Sequence, residues 1–124
     1  MSNFELGEMQ SRFADLIWEK EPVPSGDLVK MAEERFGWKD TTTYTVLHVL
    51  CKKGLFVNER SVVRSLVSRD EFYLMRSEQV INQGFGGSLP SFVSAFSSSR
   101  KMTEKEMRKL KEMIEQYLKE NDRK

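Results

Sequence analysis

The sequence predicts a mainly α-helical protein with one small β-hairpin, and three observations support this fold class. Apolar residues recur at helical spacing over most of the 124 residues, as they do on the inner faces of amphipathic helices. Two Ser/Thr-x-x-Glu capping boxes mark helix starts in the second half of the chain. Two short β-prone runs, Leu55–Val57 and Ser61–Arg64, are separated by only three residues, which is typical of a hairpin.

The first part of the chain predicts three short helices. The first covers residues 5–20 and is followed directly by prolines, which cannot continue a helix. Ser25 is expected to cap the second helix, and Gly37 closes it. The third covers about residues 41–53. Three short helices in succession predict a helix-turn-helix core, and the hairpin after them predicts its wing, so residues 1–67 are expected to form a winged-helix domain.

The third helix has an unusual polar face. Asp40 or Thr41 is expected to cap it, and Gly54 is expected to end it. Its solvent side carries Thr42, Thr45 and His48, where exposed helical faces ordinarily carry Glu, Lys and Arg. Short hydroxyl side chains that donate, accept and present a methyl group suit the reading of base edges in the DNA major groove. The pattern therefore predicts a recognition helix, with a plain surface position as the alternative for the histidine.

Residues 68–124 predict a helical dimerisation domain. Capping boxes at Ser68–Glu71 and Thr103–Glu106 open two helices, and Leu89–Phe96 forms a short apolar helix between them. Each helix has one apolar stripe and too little apolar surface for a core of its own, so we expect it to pack against a second copy in a two-fold dimer. Packing back onto the N-terminal core is the alternative. The predicted dimer contacts are Leu74, Phe92, Phe96, Met107, Leu110, Ile114 and Tyr117.

Composition excludes several classes of protein. No run of about 18 apolar residues exists that could span a membrane, and the N-terminus has no signal-peptide pattern, so we expect a cytoplasmic location. The single cysteine, Cys51, cannot form an internal disulfide or a thiolate metal cage. The sequence contains no zinc spacing, glycine-rich phosphate loop or nucleophile–base pattern. We therefore expect no enzymatic activity, no metal and no cofactor.

The charge balance leaves two functions open. Residues 1–67 hold nine Lys/Arg against ten Asp/Glu, a net charge of −1, whereas DNA-binding modules usually have a basic footprint. The basic residues do cluster at Lys52, Lys53, Arg60 and Arg64, and the two arginines on the hairpin are candidates for phosphate contact. A double-stranded DNA operator is the first expected partner. The alternative is a winged-helix protein-interaction module with little affinity for DNA.

Several sequence features follow one another in a specific order. They are Leu6–Trp18, Trp38 with Thr42 and Thr45, Leu50, Lys52–Gly54, Leu66–Glu71 and Ser91–Phe96. Together they resemble the penicillinase repressor family of winged-helix transcriptional regulators, which groups β-lactamase and methicillin-resistance repressors with copper-responsive ones. The resemblance covers nearly the whole chain. It implies a homodimer that represses transcription from a dyad-symmetric operator.

The resemblance also implies roles for individual residues. The base-reading positions of the family correspond to Thr41, Thr42, Tyr44, Thr45 and His48, and Lys52, Lys53, Arg60 and Arg64 face phosphates. Tyr44 has a second interpretation, in which its ring lies over the domain core. In antibiotic-responsive members, a membrane metallopeptidase sensor leads to cleavage before a phenylalanine, which corresponds here to the Ala95–Phe96 bond. This chain differs in its shorter wing, in Ala95 where those repressors have asparagine, and in lacking the paired cysteines of the copper-responsive branch.

Overall fold

The computed structural model describes residues 5–122; the first four and last two residues, which the predicted domain ranges include, lie outside it. The described elements are α1 (Glu8–Lys20), β1 (Val23–Pro24), α2 (Ser25–Phe36), α3 (Asp40–Lys52), β2 (Phe56–Glu59), β3 (Val62–Ser65), α4 (Arg69–Gly84), α5 (Leu89–Ser98) and α6 (Glu104–Asp122). The predicted fold class, mainly helical with a small antiparallel sheet, is confirmed.

The chain forms two compact units, one ending at Gln79 and the other beginning at Val80. Helix α4 contributes residues to both. The boundary that the sequence suggested, after Val67, stays a prediction. In the part of the chain that the structure describes, no helix has both the length and the apolar character needed to cross a membrane.

The structure contains a three-stranded antiparallel sheet, of which β1 was not predicted from the sequence. The strand order is β1-β3-β2, with Val23 opposite Val63 on one side of β3 and Glu59 opposite Val62 on the other. The hairpin loop is therefore the pair Arg60–Ser61, and the predicted turn at Asn58–Arg60 is wrong because Asn58 and Glu59 lie in β2. Arg60 and Ser61 have φ of 52° and 63°, and positive φ at both central residues is what the type I′ hairpin turn requires.

The core of the first unit is organised around aromatic side chains. The Trp18 ring lies 5.1 Å from the Phe56 ring and 5.4 Å from the Phe72 ring, measured between centroids. Its indole N–H donates to the Val67 carbonyl at 2.9 Å. Phe72 comes from the first turn of α4 and is 1% exposed, so the start of α4 belongs to this core. Trp18 packs against this core, and it joins α1, the sheet and α4.

Two predicted helix starts need correction. The first helix begins at Glu8 and not at residue 5, and the Gly7 N–H before it donates to the Gln10 side chain at 3.2 Å. Ser25 does not cap α2: Pro24 occupies the cap position, and Ser25 is the first helical residue. The Ser25 N–H instead donates to the carbonyl of Ser61 at 2.8 Å. A tertiary bond to the hairpin thus replaces the local cap that the sequence suggested.

The start of α3 also differs from the prediction in detail. Lys39 occupies the cap position and Asp40 is the first helical residue. The Asp40 carboxylate still accepts the Thr41 N–H at 2.8 Å, so it satisfies one of the unpaired donors at the helix start. Gly54 follows the helix with φ of 84°, which confirms its predicted role at the helix end.

Both predicted capping boxes are present. At the start of α4, Ser68 and Glu71 exchange backbone and side-chain bonds at 3.3 and 3.1 Å. At the start of α6, Thr103 and Glu106 do the same at 3.0 and 3.1 Å. The bonds from the backbone and side chain of Thr103 lower the pKa of the Glu106 carboxyl. The ionised Glu106 carboxylate therefore stabilises the start of α6 at neutral pH, and this stabilisation is lost as the pH falls through the lowered pKa.

The second unit has no buried core. Within residues 80–122 no side chain is buried. Its aromatic rings form a short row, with the Phe85 and Phe92 centroids 5.3 Å apart and those of Phe92 and Phe96 4.6 Å apart. Helix α6 exposes an apolar stripe that includes Ile114, which is 50% exposed, and Tyr117, which is 59% exposed. A unit of this kind needs an additional surface to pack against before it can gain much from apolar burial.

We expect the double substitution Arg60→Asn with Ser61→Gly to stabilise the hairpin. Non-glycine residues at positive φ are strained, whereas Asn-Gly is the preferred pair for this turn, so the free energy of unfolding should rise by about 1 kcal/mol. Urea denaturation measures the difference. As a control, Asn58→Gly in β2 should lower the free energy of unfolding by about 0.5–1 kcal/mol, since ordinary strand backbone gains nothing from glycine. Equal effects of the two changes would contradict the strain argument.

Candidate nucleic-acid interface

Helix α3 is anchored by one face. Thr43, Leu47 and Leu50 are buried, at 0%, 3% and 0% exposure. Just before the helix, the Trp38 ring packs against Phe13 and Phe36, with centroids 5.4 and 5.1 Å away. These contacts fix the rotation of α3 about its own axis, and with it the set of side chains that reaches solvent.

The opposite face is a polar ridge. Thr41, Thr45, His48 and Lys52 follow one another at spacings of four, three and four residues, so they lie on a single stripe along the helix. All four are exposed. We call this stripe the α3 ridge. Thr42 lies to one side of it and is exposed, and Tyr44 lies to the other side at 46% exposure.

The threonine hydroxyls of α3 have different partners. The Thr45 hydroxyl donates to the Thr41 carbonyl at 2.8 Å, and the buried Thr43 hydroxyl donates to the Lys39 carbonyl at 3.3 Å. The Thr42 hydroxyl has no hydrogen-bond partner within residues 5–122. Neighbouring threonines on the same helix therefore offer different chemistry to an incoming ligand, a difference that the sequence does not show.

A shallow groove runs beside the ridge, between α3 and β2. It encloses about 490 Å³ and is lined by Tyr44, Leu47, His48, Cys51, Phe56, Val57, Asn58 and Leu66. Tyr44 thus borders an open groove with half its surface exposed. Asn58 adds an exposed amide that was not predicted as a contact; it lies in β2, which places it on the groove. Partial burial raises the pKa of the Cys51 thiol, which favours its neutral form, and Cys51 packs against the core.

The predicted cationic residues near α3 have different surroundings. Lys52 is exposed on the ridge, but the Lys53 ammonium donates to the backbone carbonyl of Glu5 at 3.0 Å and is half-buried. A phosphate would have to share Lys53 with that carbonyl. Lys39 is exposed at the cap position of α3 and was not predicted as a contact. Lys39 could have been predicted from the sequence by its position directly before the N-terminus of the helix, where backbone N–H groups also favour anions.

The hairpin presents its two arginines differently. Arg60 is exposed at the tip, where the backbone is fixed by the pairing of Glu59 with Val62 and by the bond from Ser25 to the tip carbonyl. Arg64, on the return strand, is engaged by the Glu59 carboxylate at 3.2 Å. Both members of this ion pair are largely exposed, so it contributes little to stability, but it offsets the positive charge of the wing.

The predicted dimer contacts lie on exposed surfaces. Leu74, on the part of α4 that belongs to the first unit, is 60% exposed. In the second unit, α5 and α6 border a groove of about 780 Å³, here called the α5–α6 groove. It is lined by Leu89, Pro90, Phe92, Val93, Ser94, Phe96, Met102, Leu110 and Ile114. Met107 and Tyr117 lie on α6 and are exposed.

The Ala95–Phe96 bond lies inside α5. The Ala95 carbonyl accepts the Ser99 N–H at 3.1 Å, and the Phe96 carbonyl accepts the Lys101 N–H at 3.0 Å. Both side chains are exposed, with Phe96 at 41%. Because its backbone is helical and hydrogen-bonded, the bond is open to a protease only after the end of α5 unwinds. Cleavage here stays a prediction.

The exposed side chains of the first unit are suited to binding a ligand through hydrogen bonds and charge. Within residues 5–122, no group of three or more His, Cys, Asp or Glu side chains is arranged to hold a metal. What α3 offers is a ridge of hydroxyls, an imidazole and an ammonium, bordered by a hairpin with an arginine at its tip. An α-helix is about 10–12 Å across with its side chains, and the DNA major groove is about 12 Å wide.

Comparison with known proteins identifies a family that is similar to this chain over most of its length. The sequence model of the penicillinase repressor family matches residues 6–116. Among curated proteins, the penicillinase repressor of Bacillus licheniformis is similar to this chain at 19% identity over 117 residues, which is 91% of this chain and 91% of the relative. The match therefore extends through both compact units.

Proposed function

The chain belongs to the penicillinase repressor family of transcriptional regulators, and we propose that it acts as a homodimer that inserts α3 into the major groove of a two-fold symmetric DNA operator. The family consists of DNA-binding regulators and not of enzymes, and its name describes a role in transcriptional repression. The base contacts, the phosphate contacts and the dimer are our proposals.

One observation carries the groove assignment: the α3 ridge is exposed while the opposite face of the same helix is buried. A helix that is anchored by Leu47 and Leu50 and free on its polar side can enter a groove without rearrangement. We assign base contacts to Thr41, Thr42, Tyr44, Thr45 and His48. Hydroxyl, imidazole and phenol groups can each address donors or acceptors on base edges.

Phosphate contacts are assigned to the cations around the ridge. Lys52, Lys53, Arg60 and Arg64 flank α3 or lie on the hairpin, and we add Lys39 at the helix start. Because residues 1–67 have a net charge of −1, attraction to DNA depends on this local group and not on the whole domain. Phosphate contacts fix register and orientation, while the ridge supplies the sequence preference.

Dimerisation is assigned to the second unit. Residues 80–122 contain no buried side chain, yet they expose Phe96 and Ile114 on the α5–α6 groove and Met107 elsewhere on α6. We propose that the same apolar surface of a second copy covers this groove, since a symmetric dimer is the most common way to bury a self-complementary patch. The predicted contacts Phe92, Leu110 and Tyr117 belong to the same proposal, and Leu74, on the part of α4 in the first unit, is proposed as a further dimer contact.

We expect Ile114→Glu to dissociate the dimer, because a carboxylate buried in an apolar interface without a partner is strongly unfavourable. Sedimentation equilibrium should change from twice the 14.5 kDa of the chain to the mass of one chain. Lys105→Glu, which introduces the same acidic group on the polar side of α6, should leave the dimer intact. A monomeric parent, or a dimeric Ile114→Glu variant, would contradict the assignment.

Selection of bound sequences from a random DNA pool tests the operator proposal. Two α3 helices related by a two-fold axis should enter successive major grooves about 34 Å apart, so the enriched sequences should contain two inverted half-sites about 10 base pairs apart. The salt concentration must be fixed, since affinity depends steeply on it. Enrichment of no sequence, or of a single half-site only, would count against a dimeric operator-binding mode.

Arg60→Asn tests the wing. Asparagine tolerates the positive φ at this position, so the substitution removes the charge without straining the turn. Binding to every DNA sequence should weaken, and the slope of log affinity against log salt should become shallower by about 1 for each wing. Arg12→Gln, which removes an exposed arginine paired with Glu8 on α1, should leave the slope unchanged.

Glu59→Gln should have the opposite effect on the wing. The Glu59 carboxylate neutralises Arg64 at 3.2 Å, so its replacement leaves that guanidinium free to meet a phosphate. Binding to all sequences at ~50 mM salt should tighten about two- to fivefold, which corresponds to ~0.5–1 kcal/mol. Glu8→Gln provides the matched control, because Glu8 is also paired with an arginine but lies on α1. Equal gains for both variants would indicate a general effect of net charge.

The competing hypothesis is a winged-helix module that binds a protein, which the near-neutral first unit favours. Retention on heparin and on bulk duplex DNA separates the two. At ~50 mM salt, electrostatic attachment is strong even for weak binders, so a DNA-binding repressor should be retained and then released as salt rises. Passage through both columns without retention would support the protein-interaction module.

For relief of repression we propose the route that the family resemblance implies, in which a membrane metallopeptidase sensor leads to cleavage of Ala95–Phe96. The exposed side chains at this bond support it. Since the bond is held in α5 by the Ser99 and Lys101 N–H groups, cleavage must follow local opening of the helix end, and its rate should track that opening.

A further inference from the structure

We propose that Thr45 reads a thymine by contact between its own methyl group and the C5-methyl of the base, and that its hydroxyl takes no part as a donor. The inference rests on the proposed function, since it specifies how one residue of the α3 ridge contacts a base pair. Thr45 thereby becomes a specificity-determining position, and the operator must present a thymine to it in each half-site.

The hydrogen bond of the Thr45 side chain carries the argument. Its oxygen lies 2.8 Å from the Thr41 carbonyl oxygen. A carbonyl oxygen can only accept, so the hydroxyl proton must lie on this bond. Bonds of this kind to the carbonyl four residues earlier are a recognised rotamer choice for threonine in helices.

This arrangement removes one mode of base reading. Guanine N7 and O6, adenine N7 and thymine O4 are all acceptors in the major groove and need a donor from the protein. Thr45 can supply one only by breaking its bond to the helix backbone. With the oxygen held against the backbone, the methyl group is the remaining branch of this exposed side chain. The complementary group in the major groove is the thymine methyl.

Thr42 provides a contrast on the same helix. It is also exposed, but its hydroxyl has no hydrogen-bond partner in the described chain, so its proton is available to a base or phosphate acceptor. The two threonines therefore differ in what they can offer, although the sequence gives them the same side chain. Substitutions that separate methyl from hydroxyl should have opposite consequences at the two positions.

The experiment uses the full-length protein and the operator that it enriches from a random pool. Each thymine of the half-sites is replaced in turn by uracil, which removes only the C5-methyl. At one position, binding of the parent should weaken about fourfold per half-site, the value expected from ~0.8 kcal/mol for one buried methyl group. Thr45→Val keeps a methyl and should retain this preference for thymine. Thr45→Ser keeps the hydroxyl alone and should bind thymine and uracil operators equally.

Each outcome bears on the inference. Loss of the thymine preference in Thr45→Val, or its survival in Thr45→Ser, would overturn it. If replacement of no thymine by uracil weakened binding, the inference would also be overturned. The alternative would then be that a lone pair on the Thr45 oxygen accepts a hydrogen bond from a cytosine or adenine amino group. At Thr42, the serine variant should bind the operator more tightly than the valine variant. Failure to enrich any operator would instead contradict the proposed function, so the two failures are distinguishable.

Discussion

The Trp18 indole is the contact on which the rest of the first unit depends. One ring joins three elements: it belongs to α1, it packs against Phe56 of the sheet, and it packs against Phe72 at the start of α4. Its N–H satisfies the Val67 carbonyl between the sheet and α4, so the chain can leave the sheet without an unpaired polar group. The hairpin and the helix that follows it are thus fixed to the same core that anchors α3.

Much of the fold could be predicted because its signals are local. The capping boxes at Ser68–Glu71 and Thr103–Glu106 depend on residues three positions apart, and both formed as expected. The errors arose where a distant partner decided the outcome. Val23–Pro24 is too short to show a strand pattern and exists because β3 lies beside it. Ser25 is expected to cap α2, but it is the first helical residue, and its N–H donates to the Ser61 carbonyl of the hairpin. The turn was misplaced because Arg60–Ser61 contains neither Asn nor Gly.

At the candidate site, periodicity predicted which face of α3 would be exposed, because helical spacing alone separates Thr45 and His48 from Leu47 and Leu50. Periodicity does not determine the rotamer of a side chain or its hydrogen-bond partner. The sequence could not show that the Thr45 hydroxyl is already committed to the backbone or that the Lys53 ammonium is bonded to a carbonyl. Recognition chemistry depends on these choices, since they determine which atoms of a side chain are left for a ligand.

The bond from the Ser25 N–H to the Ser61 carbonyl has a mechanical consequence. It fastens the end of the hairpin to the first residue of α2, and pairing of β3 with β1 reinforces the attachment. In the DNA complex proposed above, a wing held at its far end would have little freedom to follow a curved or widened groove. Any mismatch between the separation of wing and α3 and the shape of the duplex must then be absorbed by the nucleic acid. Base steps that the protein never touches would influence its choice of site through their stiffness.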